Sequence, residues 1–181
     1  MPRTQVKRGI DEAAAASFIA KNSHPLKNTA DLDPLMDRIG DERIVMLGEA
    51  SHGTHEYYTW RSQITKRLIE EKGFNFIAVE GDWPDCYRLN RFIKDYVAGQ
   101  DIMKVLKAFN RGPTWMWGNW EMVALGKWLF EHNSEQNRQH KVGFYGLDVY
   151  SLWESLEAVV KYLEKNDPHA LKSARKAFEC F

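Results

Sequence analysis

Three short apolar runs, each ending at or beside a glycine, set the layout of this chain. They are Arg43-Ile44-Val45-Met46-Leu47-Gly48, Phe74-Asn75-Phe76-Ile77-Ala78-Val79-Glu80 and Lys141-Val142-Gly143-Phe144-Tyr145-Gly146. Runs of this length without strict alternation read as strands buried on both faces. Between the first two, Tyr57, Trp60, Ile64 and Leu68 recur at helical spacing over 54–72, and Gly73 stops the pattern. Strand, helix, strand in about 35 residues is the length of a βαβ unit. Helices are predicted near 85–98, 101–109, 118–133 and 151–165, with one more from 168. The expected fold class is therefore α/β, a mainly parallel sheet with helices on both faces.

Residues 1–34 are polar, are interrupted by Ser23-His24-Pro25, and read as a leading helix-and-loop segment. Residues 35–181 read as the N-terminal part of one α/β domain. The 181 residues, 44% of them hydrophobic, suffice for one core and not comfortably for two. The last residues, Phe178-Glu179-Cys180-Phe181, are apolar and fall inside a helical pattern with no cap. The domain is expected to be incomplete.

Charge narrows the partners. Lys plus Arg and Asp plus Glu each number 25, so the net charge is zero and the basic surplus of a nucleic-acid binder is missing. No stretch approaches the roughly 20 apolar residues of a membrane span, and the first residues lack the apolar core of a signal peptide. The two cysteines, Cys86 and Cys180, are far apart and not spaced as ligands, which fits a reducing cytosol. The expectation is a cytoplasmic protein whose partner is a small-molecule substrate, with no nucleic acid and no membrane.

Parallel α/β sheets bind ligands outside the carboxyl ends of their strands. Here those ends carry Glu49 with Ser51 and His52, then Glu80 and Asp82, then Asp148. Carboxylates thus converge on one rim. His52, in a loop that Gly53 allows to turn sharply, can act as a general base if Glu49 or Glu80 orients it. Arg61 lies in the apolar stripe of its helix, where a charge is costly unless paired. It reads as a partner of the rim acids, as a stabiliser of a developing oxyanion, or as a buried stem with its head in water.

Trp83 and Trp115, each beside a proline or a further tryptophan, are candidates for a substrate wall, although packing in the core explains them as well. Asp148 is a weaker rim candidate for substrate contact. No cofactor is expected. A divalent metal near Glu49, His52 and His55 is a lesser reading, because Gly53 breaks the backbone between the two histidines. There is no Gly-x-Ser-x-Gly elbow and no Walker loop, and His52 is awkwardly placed to activate the adjacent Ser51. A base-activated water is the simpler chemistry.

Four motifs in order resemble the erythromycin esterase family over roughly 35–165. They are Leu47-Gly48-Glu49-Ala50-Ser51-His52-Gly53-Thr54 with Glu56 and Arg61, then Phe76-Ile77-Ala78-Val79-Glu80-Gly81-Asp82-Trp83, then Pro113-Thr114-Trp115-Met116-Trp117, then Gly143-Phe144-Tyr145-Gly146-Leu147-Asp148. The resemblance implies a bacterial hydrolase that opens an ester or lactone, macrolide antibiotics among the substrates, and so a link to antibiotic resistance. It implies that His52 is the base activating water, with Glu49, Glu80 and Arg61 in the same site. Family domains are about twice this length and take a second active-site histidine from their later half, which this chain does not reach. Two alternatives stand beside this reading: a metal- or cofactor-binding module of similar fold, and an inactive fragment of a longer enzyme.

Overall fold

The computed structural model describes residues 11–97, 99–109, 114–148 and 150–179. The chain divides into two compact units, Met1–Val45 and Met46–Phe181. In the first, α1 spans Glu12–Asn22, with the Asp11 carboxylate accepting from the N–H groups of Ala13 and Ala14. A 3₁₀ turn, Thr29–Leu32, follows from a reciprocal cap between Asn28 and Asp31 and leads into α2, Asp33–Ile39. Leu32 and Met36 are the buried apolar side chains of this unit.

The second unit holds α3 (His55–Lys72), β1 (Phe76–Asp82), α4 (Trp83–Ile93), α5 (Ile102–Lys107), α6 (Trp120–Ser134), β2 (Gly143–Asp148), α7 (Leu152–Asn166) and α8 (Pro168–Phe178). Its strands, the second and third of the three predicted, pair in parallel from Phe76 opposite Gly143 to Asp82 opposite Asp148, as the parallel-sheet reading requires. Gly73 ends α3 in the left-handed conformation, where a side chain would be strained. The run at 43–48 is the exception to the predicted strands. Among the described residues no ladder forms there, and Ile44 and Met46 are 79% and 91% exposed. An apolar run marks a candidate strand, but a strand exists only where a neighbour supplies hydrogen bonds.

The core lies between one face of the sheet and helices α3 to α6. Ile77, Val79 and Phe144 project from the sheet into a cluster with Leu89, Ile93, Leu129 and Trp117. Two asparagines close the outer edge of β2. Asn133, fully buried, donates to the carbonyls of Ile93 (2.9 Å) and Val142 (3.0 Å) and accepts from the Val142 N–H (2.7 Å). Asn90 accepts from the Phe144 N–H at 3.0 Å. Edge groups that would otherwise stand unpaired are thereby satisfied from α4 and α6.

At the carboxyl end of the sheet the register slips between Val79 and Asp82. Gly146 lies under this irregularity. A Cβ there would come within 2.2 Å of the Gly81 carbonyl oxygen, so only glycine fits. The opposite face of the sheet, bearing Phe76, Ala78, Glu80, Tyr145 and Leu147, is largely open: Phe76 is 60% and Leu147 68% exposed. Among the described residues, no helix is long and apolar enough to cross a membrane.

Candidate active site

The segment from Gly48 to Thr54 turns twice before α3 begins, with Gly53 at φ +81°. That turn brings His52 back over Glu49. His52 Nδ1 lies 2.6 Å from Glu49 Oε1, so the ring donates its Nδ1 proton to the carboxylate. No described contact occupies Nε2, and the side chain is 41% exposed. Glu49 is 8% exposed, and its second oxygen, Oε2, lies 2.9 Å from Arg61 Nη1. Among the described residues no N–H is aimed well enough at Oε2 to count as a hydrogen bond, so Arg61 acts there mainly as a charge. Ser51 pairs with the Thr54 hydroxyl at 3.0 Å.

Arg61 stands 4.8 Å over the ring of Tyr58, a buried residue one turn earlier on α3. Burial first, and then the Glu49 carboxylate, push the Tyr58 phenol above its ordinary range. Tyr58 in turn meets Trp117 edge to face, and the Trp117 indole donates to the Glu80 carbonyl at 2.9 Å. A packed chain of contacts thus runs from Glu49 through Arg61, Tyr58 and Trp117 to the end of β1. The stripe predicted through Tyr57 needs correction. Tyr57 is 37% exposed, and the buried face of α3 runs through Tyr58, Leu68 and Ile69, with Arg61 half-buried beside it.

The structure gathers Glu49, His52 and Arg61. The Glu80 side chain is exposed, and no described ion pair links it to His52 or Arg61; Glu80 joins the network through its backbone. Asp148 sits at the end of β2, opposite Asp82, with Oδ2 buried and without a hydrogen-bond partner among the described residues. Trp115 is 52% exposed, and its ring lies 2.9 Å from where a Cβ on Gly53 would be, so it walls the histidine loop. Met116 and Trp117, its neighbours, are core residues. Trp83 is 45% exposed and stacks on Tyr87 and Tyr145. Pro113, of the same motif, lies outside the described residues, as does Cys180.

A second histidine–carboxylate pair was not evident from sequence. His55 Nδ1 meets Glu121 Oε1, joining the first turns of α3 and α6. The Glu121 carboxyl is held below its ordinary range by its own backbone N–H and then by His55. Nothing local signals this contact, because 66 residues separate the partners. Among the described residues no three His, Cys, Asp or Glu side chains gather as a metal-binding set.

The chain is similar to several known proteins. Residues 69–181 match the family model described as erythromycin esterase. Over 162 residues the chain is 30% identical to erythromycin esterase type II of Escherichia coli, covering 87% of this chain and 36% of that protein. It is 25% identical over 156 residues to putative hydrolase YbfO of Bacillus subtilis (strain 168), covering 83% and 33%. A solved Bacillus cereus protein superposes with a TM-score of 0.72 at 27% identity, over 94% of this chain and 41% of that one. A succinoglycan biosynthesis protein superposes at 0.73 and 27%, over 93% and 43%. A histidine-to-asparagine mutant of erythromycin esterase EreC, in its open conformation, shares the fold at 0.58 and 18% identity. The chain therefore spans about a third to two fifths of the length of its relatives. With its family model covering more than half of the sequence, the chain belongs to the erythromycin esterase family.

Proposed function

We propose that this chain carries the base-bearing part of an ester or lactone hydrolase in which His52 activates water. The observation that supports this is the contact of His52 Nδ1 with a carboxylate that Arg61 holds in turn. With its proton on Nδ1, the ring offers the Nε2 lone pair to a water molecule. The water proton passes to Nε2 as its oxygen attacks the acyl carbon. The tetrahedral oxyanion then collapses, the ester C–O bond breaks, and the leaving oxygen takes the proton back from the imidazolium. Glu49 fixes the tautomer and stabilises the imidazolium while it exists, the role an acid plays behind a catalytic histidine elsewhere.

In this reading Arg61 fixes the position of Glu49, while Trp115 and Trp83 present apolar surface to a bulky substrate. Glu80 and Asp148 are assigned to the substrate side of the rim. Macrolide lactones are the first substrates to test, because erythromycin esterase type II is among the relatives. No metal or cofactor enters the scheme, and the protein acts in the cytoplasm on a small molecule.

The test is hydrolysis of erythromycin and of a panel of simple esters, followed by mass spectrometry. The wild-type chain is run beside His52→Ala and Glu49→Gln. Gain of one water by the wild type, lost in His52→Ala at an unchanged melting temperature, is the expected result. Equal turnover by all three proteins would remove His52 from the mechanism. No turnover by a cooperatively melting wild type would remove the hydrolase reading for this chain.

A further inference from the structure

Arg61 can place Glu49 only if something places Arg61. Its Nη1 lies 2.9 Å from Glu49 Oε2, but among the described residues no N–H is aimed at that oxygen as a hydrogen bond. The buried Tyr58 hydroxyl likewise has no hydrogen-bond partner among the described residues. A long, flexible side chain held by charge alone has many positions of similar energy. The contact that supplies a direction is with the Tyr58 ring, whose centroid lies 4.8 Å from the guanidinium carbon. A cation over the negative face of an aromatic ring is attracted by the ring quadrupole. Positions 58 and 61 are one turn apart on α3, so the helix itself holds ring and guanidinium on one face. The ring is fixed in its turn. Tyr58 is buried in the core. Trp117 meets it edge to face at 6.4 Å and meets Phe144 of β2 in the same way at 6.0 Å. The Trp117 indole also donates to the Glu80 carbonyl of β1, so the seat of Arg61 is anchored to both strands.

We propose that Tyr58 is a positioning residue: its aromatic face seats the Arg61 guanidinium, and through Arg61 it holds Glu49 against the His52 ring. The hydroxyl takes no part. Burying it without a partner costs stability, and burial followed by the nearby Glu49 carboxylate keeps it a neutral phenol. Phenylalanine should therefore serve at this position as well as tyrosine does. Leucine, which has no quadrupole, should not. The inference rests on the hydrolase reading, in which Glu49 sets the His52 tautomer, and adds the residue that sets Glu49.

The test reads the tautomer directly and needs no turnover. The 181-residue chain is produced with isotopically labelled histidine, and the ring nitrogens are observed by nuclear magnetic resonance at a pH where the His52 ring is neutral. The His52 signals are assigned by their loss in His52→Ala. In the wild type the proton is expected on Nδ1. Tyr58→Phe should keep it there and melt no lower than the wild type. Tyr58→Leu should lower the ratio of Nδ1–H to Nε2–H about fivefold, as loss of a partly desolvated cation–π contact allows. Because leucine also leaves a gap in the core, a phenylalanine with a fluorinated ring is placed at 58 as well. Fluorine nearly preserves the shape of the ring while withdrawing charge from its face, so the ratio should fall in a protein that still folds. An unchanged ratio in the fluorinated variant would overturn the proposal. So would loss of the Nδ1 proton in Tyr58→Phe, which would give the role to the hydroxyl. The expected series in a protein without esterase activity would sustain the proposal and sink the hydrolase reading alone.

Discussion

Replacing Arg61 with Met tests the electrostatics on which the site depends. The guanidinium lies 2.9 Å from a carboxylate that is 8% exposed, and it is itself 22% exposed. At an effective dielectric constant near 20, Coulomb's law gives about 6 kcal/mol of gross attraction at this distance. Breaking a fully buried pair costs about 3–5 kcal/mol and breaking an exposed pair under about 1. A slot open enough to admit water lies between, at about 2–3 kcal/mol, including the lost contact over the Tyr58 ring. For a chain of this size that is a fall of roughly 8 °C in melting temperature. Glu49→Gln with Arg61→Met removes both charges, and the double variant should recover about 2 kcal/mol relative to the sum of the single changes. The assay is urea denaturation followed by circular dichroism for all four members of the cycle. Strict additivity, or a loss below about 0.5 kcal/mol for Arg61→Met, would show that the pair contributes nothing and that something else holds Glu49 in place.

Two further outcomes follow from the core. Asn133→Leu removes the partner of three buried backbone groups, those of Ile93 and Val142, and is expected to cost on the order of 3–5 kcal/mol in urea denaturation; a near-neutral result would mean that β2 is held without its edge cap. Cys86, with no exposed surface, has its thiol pushed up to about 12 by burial and then by Asp85, Asp82 and Asp148. The thiol should resist dithionitrobenzoate in the native state and react on unfolding. Because the folded value lies above the unfolded one, its contribution is complete below about pH 8.5 and is lost as the pH rises toward 12. A Cys86→Ala variant should therefore show a shallower alkaline loss of stability, and rapid labelling of native protein at pH 8 would contradict the burial.

Much of this was legible in the sequence because it is local. The period of apolar residues placed α3, Gly73 stopped it, and Glu49, His52 and Gly53 are close enough in sequence for one turn to bring the acid under the ring. The pairing of Arg61 with a rim acid followed from the cost of an unpaired charge on a packed stripe. Local pattern failed where the answer depends on a neighbour. The run at 43–48 has strand composition but no ladder. Adjacent helix residues point about 100° apart, so choosing Tyr57 over Tyr58 rotated the predicted buried face. The contacts of His55 with Glu121 and of the Trp117 indole with the Glu80 carbonyl span 66 and 37 residues, and no spacing rule reaches them. The exposed Glu80 side chain belongs with these, since no local pattern says which face of the sheet the helices cover.

The crossing of Gly146 under the Gly81 carbonyl bears on how this site could be evolved in the laboratory. With 2.2 Å between a new Cβ and that oxygen, every non-glycine codon at 146 forces the two strand ends apart. At Gly81 a Cβ would come within 3.0 Å of both Cys86 Sγ and Trp117 Nε1. Variation at either codon would disturb the scaffold before it altered specificity. The Trp83 side chain, about half exposed, stacks on Tyr87 and Tyr145, and that of Trp115, about half exposed, lies over Gly53, so both offer room for change. A mutant library that fixes the two glycines and randomises the two tryptophans would spend its diversity on the proposed substrate wall and leave the strand ends intact.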